Sequence, residues 1–272
     1  MTKQQITLIG CGKMGGAMLR GWLANPDLQA DFVIIEPFAA PLEWTAAHDN
    51  VRIYDSCAAA QASASPSTMI VLAVKPQMME EAIANFGGLV DANTAFLSIA
   101  AGITVDWLRA RIGDEAGIIR SMPNTPAAIG QGVTALYGGS VDPAMIALAR
   151  QLLMATGMVV DVDDEALMDA VTAVSGSGPA YVFLLAEAMT AAGIEAGLPA
   201  GLAKQLAEAT VTGAGALIAA SDEPPAQLRV NVTSKGGTTA AALAVLMAED
   251  GMPDLLRKAI AAAKDRSIAL GS

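Results

Sequence analysis

The 272-residue sequence predicts an α/β fold in two parts, a doubly wound parallel β-sheet followed by an all-helical domain. In the first part, short continuous apolar runs alternate with amphipathic stretches of crossover length, which is typical of a parallel sheet covered on both faces. From Asp164 onward, Ala, Leu, Met and Glu recur at helical spacing, and Gly and Pro mark the breaks. We therefore predict one domain over 1–162 and a second over 163–272.

The predicted strands are runs of Ile, Val, Leu, Phe and Met at 6–9, 32–35, 69–74, 95–99, 117–121, 132–137 and 158–162, with a helix at 14–24. The predicted helices of the second domain span 165–175, 179–196, 200–220, 225–232, 238–250 and 253–268. This domain is rich in Ala and Gly, which lets helix axes approach closely. It carries so much apolar surface that we expect it to pack across a two-fold axis, as a dimerisation domain.

Composition and charge exclude several classes of function. Hydrophobic residues make up 53% of the chain, but the longest uncharged stretch, 121–141, contains two prolines and four glycines, so no membrane span is predicted. A net charge of −11 makes nucleic acid a poor partner. Two cysteines and one histidine, without metal-ligand spacing, predict no metal site and no histidine-based acid–base chemistry. The first residues lack a signal peptide, so a cytoplasmic location is expected.

The first chemical motif is a G-x-G-x-x-G sequence between the first predicted strand and the helix that follows. Its members are Gly10, Cys11, Gly12, Lys13, Met14 and Gly15. The first glycine permits a tight turn, the second lets the backbone approach a pyrophosphate, and the third lets helix pack on strand. Glu36 ends the second strand, where a carboxylate can accept ribose hydroxyls, so this context indicates a Rossmann-type dinucleotide site. A chance glycine turn is the alternative.

Glu36 also bears on which dinucleotide binds. Its carboxylate would repel a 2′-phosphate, and residues 37–40 contain no Arg or Lys to attract one. The residues alone therefore favour NADH.

Two proline-containing turns follow other predicted strands. Ala73, Val74, Lys75 and Pro76 end a strand at the carboxyl edge of the sheet, where nucleotides lie, so that Lys75 is a cation near a bound dinucleotide. A second turn, 121–126, carries Asn124 and is suited to lining a nicotinamide pocket. The alternatives are an ordinary strand-ending turn with a solvated lysine and an ordinary proline turn.

Two loops rich in Gly and hydroxyl residues open helices in the second domain. The candidate substrate-binding residues in them are Ser175, Ser177 and Gly178 in the first loop, and Ser234, Gly236, Gly237, Thr238 and Thr239 in the second. Such helix N-termini are good carboxylate receptors, through backbone N–H groups and the positive end of the helix dipole. Simple capping is the alternative, but it explains one hydroxyl per helix rather than four.

Taken in order along nearly the whole chain, these motifs resemble the motif series of the pyrroline-5-carboxylate reductases. One departure is Lys235, where the commonest family form has Pro, and another is Asp222, where many members carry Glu. The resemblance implies NAD(P)H-dependent reduction of the C=N bond of 1-pyrroline-5-carboxylate to L-proline, the last step of proline biosynthesis. It also implies a helical dimerisation domain, with dimers often assembled into decamers. Members often prefer NADPH, so both NADPH and NADH are retained as expected cofactors.

The types of side chain in the sequence suit an imine substrate. A cyclic imine can be protonated on nitrogen before hydride arrives, so its reduction needs less help from a protein acid than reduction of a carbonyl. We assign the substrate carboxylate to Ser234 and the N–H groups at 236–238, and a hydrogen bond near the ring nitrogen to Thr239, which makes Ser234 and Thr239 the predicted catalytic residues.

Two other classes compete with this reading. The β-hydroxyacid dehydrogenases use a Lys on the helix after a Gly/Ser loop, and the predicted helix 179–196 contains no Lys. A non-catalytic NAD(P)-binding sensor would have no need for two hydroxyl-rich helix starts.

Overall fold

The structure is a computed structural model that describes residues 4–38, 40–61 and 64–271. The chain forms two compact units. The first consists of Met1–Gly176 with Lys264–Ser272, and the second of Ser177–Ala263.

The first unit is built on one sheet of eight strands. Strands β1 to β8 span Gln4–Ile9, Ala30–Ile35, Val51–Tyr54, Met69–Leu72, Ala95–Ser98, Gly117–Met122, Gly132–Tyr137 and Gly157–Asp161. Their order across the sheet is β3-β2-β1-β4-β5-β6-β7-β8. The chain thus reverses its direction of winding between β1 and β4, and in such sheets ligands bind outside the carboxyl ends of the strands at this crevice. The predicted doubly wound sheet is confirmed.

One pairing departs from the predicted parallel arrangement. Strand β7 runs antiparallel to β6, and β8 then runs parallel to β7. The connection from β6 to β7 covers only residues 123–131 and contains a short 3₁₀ helix, Thr125–Ile129. A parallel return needs roughly a dozen or more residues, usually with a full helix, so this short connection brings the chain back antiparallel.

The helices of the first unit cover both faces of the sheet. They are α1 to α6, at Lys13–Ala24, Cys57–Gln61, Met79–Ile83, Val105–Ile112, Pro143–Met154 and Met168–Val171. On one face, the ring of Trp22 stacks on Phe32 with centroids 5.5 Å apart, and its Nε1–H donates to the carbonyl of Leu152 at 2.8 Å. On the other face, Phe86 packs on Phe96 at 5.2 Å. These two aromatic pairs lie in the two apolar cores of the first unit.

The second unit is helical throughout. Its helices are α7 at Gly178–Glu195, α8 at Ala200–Ala220, α9 at Pro225–Asn231, α10 at Thr238–Leu246 and α11 at Met252–Leu270. Each lies within a few residues of a predicted helix. The last residues of α11 belong to the first unit, where the hydroxyl of Ser267 donates to the carboxylate of Asp169 at 2.6 Å.

The compact units divide after residue 176 rather than after the predicted boundary at 162. Residues 165–176 stay with the sheet because Glu165 is anchored there. Its Oε1 accepts hydrogen bonds from the guanidinium of Arg120 at 2.9 Å and from the N–H of Val105 at 2.8 Å. This contact joins residues distant in sequence, so a change in local hydrophobic pattern could not reveal it.

The second unit has little core of its own. Among its described residues, the buried hydrophobic side chains are those of Ala203 and Ala207, while Phe183 is 66% exposed and Leu184 is 63% exposed. Large apolar side chains exposed in this number on one unit indicate an interaction surface. None of the helices in the described part of the chain has the length and apolar character needed to cross a bilayer.

Candidate active site

The turn from β1 into α1 has the geometry that the glycine motif predicts. Gly10 adopts a φ of +88°, which favours glycine, and its N–H donates to the carbonyl of Ile35 at 2.9 Å. A methyl group on Gly15 would overlap the carbonyl oxygen of Gly10, so this glycine permits the close contact of helix and turn. Gly12 is the N-cap of α1, which lacks a side-chain cap. The first N–H groups of α1 are therefore available to an anion.

Glu36 is held beside this turn by two main-chain groups. Its Oε2 accepts the N–H of Cys11 at 2.8 Å and its Oε1 accepts the N–H of Phe38 at 3.1 Å. The carboxylate is thereby bound to the glycine turn on one side and to its own loop on the other. The spacing in the sequence predicted that Glu36 lies near the turn, but it did not predict these two hydrogen bonds.

A cavity of about 460 Å³ opens at the carboxyl ends of β1, β2 and β4. The candidate cofactor residues that it brings together are Gly10, Gly12, Glu36, Ala73, Val74 and Lys75. Pro76 begins a short 3₁₀ helix, Pro76–Met78, directly after Lys75. Phe38, whose side chain is 76% exposed, stands at the rim. The cavity has the position and the mostly apolar wall expected of a nucleoside site.

A second cavity, of about 480 Å³, adjoins Glu36 and Phe38 on the side of α1. Lys13 and Arg20 bring two cations to it from α1, and Trp44 brings an indole ring. The Arg20 guanidinium carbon lies 3.8 Å from the centroid of the Trp44 ring. The cluster was missed in the sequence because cations for a 2′-phosphate were sought only at 37–40. The spacing of Lys13 and Arg20, two helical turns apart on one face, was the available signal.

The thiol of Cys11 has low reactivity despite its place in the motif. Burial raises its pKa to about 11, the Glu36 carboxylate adds to the rise, and the Arg20 guanidinium opposes it in part. Burial also raises the pKa of Cys57. Because only the thiolate is a good nucleophile, neither cysteine is poised to react near neutral pH.

Asn124 and Ser175 lie together in the first unit. The amide Nδ2 of Asn124 donates to the hydroxyl of Ser175 at 3.5 Å, and its Oδ1 accepts the N–H of Val133 at 3.0 Å. Ser175 belongs to a π-helical turn, Thr172–Gly176, a distortion that is frequent at functional sites. A methyl group on Gly176 would overlap the terminal methyl of Met122, so the turn packs tightly on the end of β6.

The turn before α10 is shaped by its glycines. Gly236 adopts a φ of +73°, and the N–H of Gly237 donates to the carbonyl of Ser234 at 3.1 Å. A methyl group on Gly237 would overlap the hydroxyl oxygen of Ser234. Thr238 and Thr239 then form the first turn of α10. The sequence 234–239 thus folds into a tight turn that leads directly into a helix.

Side-chain capping does not account for the hydroxyl groups at the two helix starts. The N-cap of α10 is Gly237, and this helix has no side-chain cap. The N-cap of α7 is Ser177, and its hydroxyl does not cap the helix. Gly178 begins α7, which contains no Lys. The structure therefore describes the predicted substrate residues as three local groups: the Asn124–Ser175 pair, the start of α7 and the turn before α10.

Two protein families match different parts of the chain. A family described as pyrroline-5-carboxylate reductase dimerisation matches residues 165–270. A second family, described as NADP oxidoreductase, coenzyme F420-dependent, matches residues 5–102.

The described residues hold no cluster of three or more His, Cys, Asp or Glu side chains placed for a metal ion.

Full-length relatives share the name of the first family. A pyrroline-5-carboxylate reductase of Synechocystis is 41% identical, covering 98% of both chains, and one of Pseudomonas aeruginosa is 39% identical, covering 99% of this chain and 98% of its own. The structure of a pyrroline-5-carboxylate reductase from Coxiella burnetii is 30% identical with a TM-score of 0.86 over the full length of both chains. That of a Plasmodium falciparum pyrroline carboxylate reductase with NADP bound is 28% identical, with a TM-score of 0.83 and full coverage of both. The chain belongs to the pyrroline-5-carboxylate reductase family.

Proposed function

We propose that this protein reduces the C=N bond of 1-pyrroline-5-carboxylate with NAD(P)H and releases L-proline. The observation that carries the proposal is a dinucleotide-binding turn, with Glu36 beside it, in a chain whose second unit has two helix starts rich in hydroxyls but free of side-chain caps. The 41% identical relative from Synechocystis bears the name of this activity.

The residues present fit a dinucleotide. The open space at Gly12 and the uncapped N-terminus of α1 suit a pyrophosphate, and the cavity beside Glu36 suits a nucleoside. When bound, the reduced nicotinamide supplies the hydride. Asn124 is proposed to line the nicotinamide side of the site through the turn that it holds.

The chain's own task is to bind and orient the imine. The N–H groups of Gly236 and Thr238, with the Ser234 hydroxyl, hold the substrate carboxylate, aided by the positive end of the α10 dipole. The N–H of Gly237, also predicted for this role, instead donates to the carbonyl of Ser234 at 3.1 Å. Thr239 places a hydroxyl near the ring nitrogen. The nitrogen takes a proton from solvent, the ring carbon receives the hydride, and the C=N bond becomes C–N with one new N–H and one new C–H bond. Catalysis then rests mainly on positioning, since no acid of the protein has to act on a carbonyl.

A steady-state assay tests the activity. The purified protein should oxidise NADH or NADPH only when the cyclic imine acid is supplied, with L-proline as the product. Oxidation of 3-hydroxyacids with NAD, together with no activity on the imine, would overturn the proposal in favour of a hydroxyacid dehydrogenase. Nucleotide binding without turnover of either substrate would instead favour a sensor.

Removal of the Thr239 hydroxyl tests its role in the reaction. In Thr239→Ala we expect kcat/KM for the imine to fall about tenfold or more at a near-normal Tm, because a hydrogen bond that positions the reacting centre counts in the transition state. The affinity for the dinucleotide should stay the same, since the glycine turn is untouched.

Thr233→Ala is the matched control for this change. The Thr233 hydroxyl donates to the carbonyl of Arg229 at 2.6 Å at the end of α9, so its loss should lower stability by about 1 kcal/mol and leave kcat/KM largely intact. A Thr239→Ala protein with full imine turnover and a lowered Tm would show that Thr239 is structural.

The second unit is proposed to form a homodimer across a two-fold axis, with decamers as the larger assembly. The exposed apolar side chains of α7 and α8 and the dimerisation family matched at 165–270 support this arrangement. The same match supports 163–272 as the functional second domain, although compact packing divides the chain after residue 176. The cytoplasm stays the predicted location. Sedimentation should give a mass of two or ten chains, and a monomer at micromolar concentration would contradict the proposal.

A further inference from the structure

The choice between NADH and NADPH rests on charges that the fold brings together from three segments. Glu36 follows β2, Arg20 lies on α1, and Trp44 lies in the 3₁₀ segment Ala40–Ala47. All three line the cavity on the α1 side of the glycine turn. A carboxylate beside the ribose favours NADH, whereas cations in the same cavity favour a 2′-phosphate. The structure thus contains both elements, and their relative positions decide which of them governs binding.

Glu36 is fixed in place. Its two oxygens accept main-chain N–H groups from Cys11 and Phe38, on opposite sides of the carboxylate. Rotation of the side chain away from an arriving 2′-phosphate would break both bonds, and the partly buried N–H of Cys11 would lose its partner, which is costly. The negative charge therefore stays beside the glycine turn when a nucleotide binds.

Arg20 is held in a conformation suited to receiving an anion. Its guanidinium carbon lies 3.8 Å from the centroid of the Trp44 ring. A guanidinium over an aromatic ring makes a cation–π contact, and its five N–H donors form a planar fork that matches phosphate oxygens. Lys13 adds a second cation to the same cavity.

Arg20 and Glu36 are close enough to act on one thiol. The Glu36 carboxylate raises the pKa of Cys11 and the Arg20 guanidinium lowers it. Since Cys11 lies inside the glycine turn, both charges act at the place where the dinucleotide would bind.

We propose that Glu36 and Arg20 together set the nucleotide specificity of this protein. Glu36 makes it prefer NADH, and Arg20, stacked on Trp44, is the receptor for a 2′-phosphate that becomes effective once the carboxylate is removed. This assignment rests on the proposed dinucleotide-dependent function and adds to it a residue that lies outside the loop after β2.

Direct binding in the absence of imine tests the proposal. Dissociation constants for NADH and NADPH are measured by fluorescence titration of the wild type, Glu36→Ser, Arg20→Gln and the double variant. The wild type should bind NADH more tightly. In Glu36→Ser the ratio of the two constants should shift toward NADPH by about tenfold, as expected for the loss of one like-charge contact. In the double variant most of that shift should disappear.

Arg111→Gln provides the matched control. The Arg111 guanidinium carbon lies 3.8 Å from the centroid of the Trp107 ring, the same distance as in the Arg20–Trp44 pair, but Arg111 lies on α4 and lines neither cavity beside Glu36. Combined with Glu36→Ser, it removes the same amount of charge and should leave the shift toward NADPH intact.

Each remaining result counts against a defined part of the proposal. An unchanged ratio in Glu36→Ser places the carboxylate away from the 2′ position and overturns the role of Glu36. A full shift that survives in the double variant overturns the role of Arg20. If the correctly folded wild type binds neither nucleotide, the proposed function itself fails. Adenosine 2′,5′-bisphosphate, titrated against ADP with the same variants, reports on the 2′-phosphate without the nicotinamide.

Discussion

Gly12→Ala is expected to weaken dinucleotide binding by about a hundredfold or more while leaving the protein folded at near-normal stability. Apart from Gly12 itself and its neighbours along the chain, no described atom lies within 4 Å of the place that the added methyl group would take, and the backbone φ of −71° suits any residue. The methyl group therefore fits the protein alone. It would stand, however, at the uncapped N-terminus of α1, where the backbone has to approach a pyrophosphate closely.

Gly15→Ala, by contrast, should lower the stability of the protein. A methyl group there overlaps the carbonyl oxygen of Gly10, so α1 has to move away from the turn, at a cost of about 1–3 kcal/mol. Thermal unfolding and NADH titration of the two variants separate the effects. Normal NADH affinity in Gly12→Ala would place the pyrophosphate elsewhere, and an unchanged Tm in Gly15→Ala would contradict the packing role.

Glu165→Ala is expected to destabilise the sheet unit by about 3–5 kcal/mol, because it leaves a buried guanidinium without its partner. The side chain of Arg120 is only 4% exposed, and Glu165 is its ion-pair partner at 2.9 Å. The same carboxylate accepts the N–H of Val105 at the start of α4, so that contact is lost as well.

Asp161→Ala serves as the control for the loss of an ion pair. Asp161 pairs with Arg150, but their side chains are 63% and 32% exposed. Water and salt screen such a pair, so its loss should cost about 1 kcal/mol or less. Urea denaturation of both variants gives the comparison. Equal losses of unfolding free energy in the two proteins would mean that burial does not strengthen the contribution of the Arg120–Glu165 pair.

The local patterns of the sequence determined most of the strands, the helices α1 and α7 to α11, and the motifs, whereas α2 to α5 were not individually predicted. Continuous apolar runs predicted β1, β2 and β4 to β8, and helical spacing with Gly and Pro breaks predicted α7 to α11. Strand β3 was missed because Val51–Tyr54 is a short, half-buried edge strand that carries an Arg. The glycine motif and Glu36 were likewise found by spacing alone, since a strand, a tight turn and a helix are consecutive in the chain. The substrate assignments at Ser234 and Thr239 stay predictions.

Tertiary structure decided what depends on contacts between distant residues. It returned β7 antiparallel to β6, attached residues 165–176 to the sheet through Arg120 and Glu165, and placed Arg20 on Trp44 beside Glu36. The Arg120–Glu165 and Arg20–Trp44 contacts join residues that are 45 and 24 positions apart. Periodicity reports which face of an element is apolar, but not which other element covers it or which charges then meet. For that reason Glu36 could be found in the sequence, whereas the contact of Arg20 with Trp44 beside it became visible only in the folded chain.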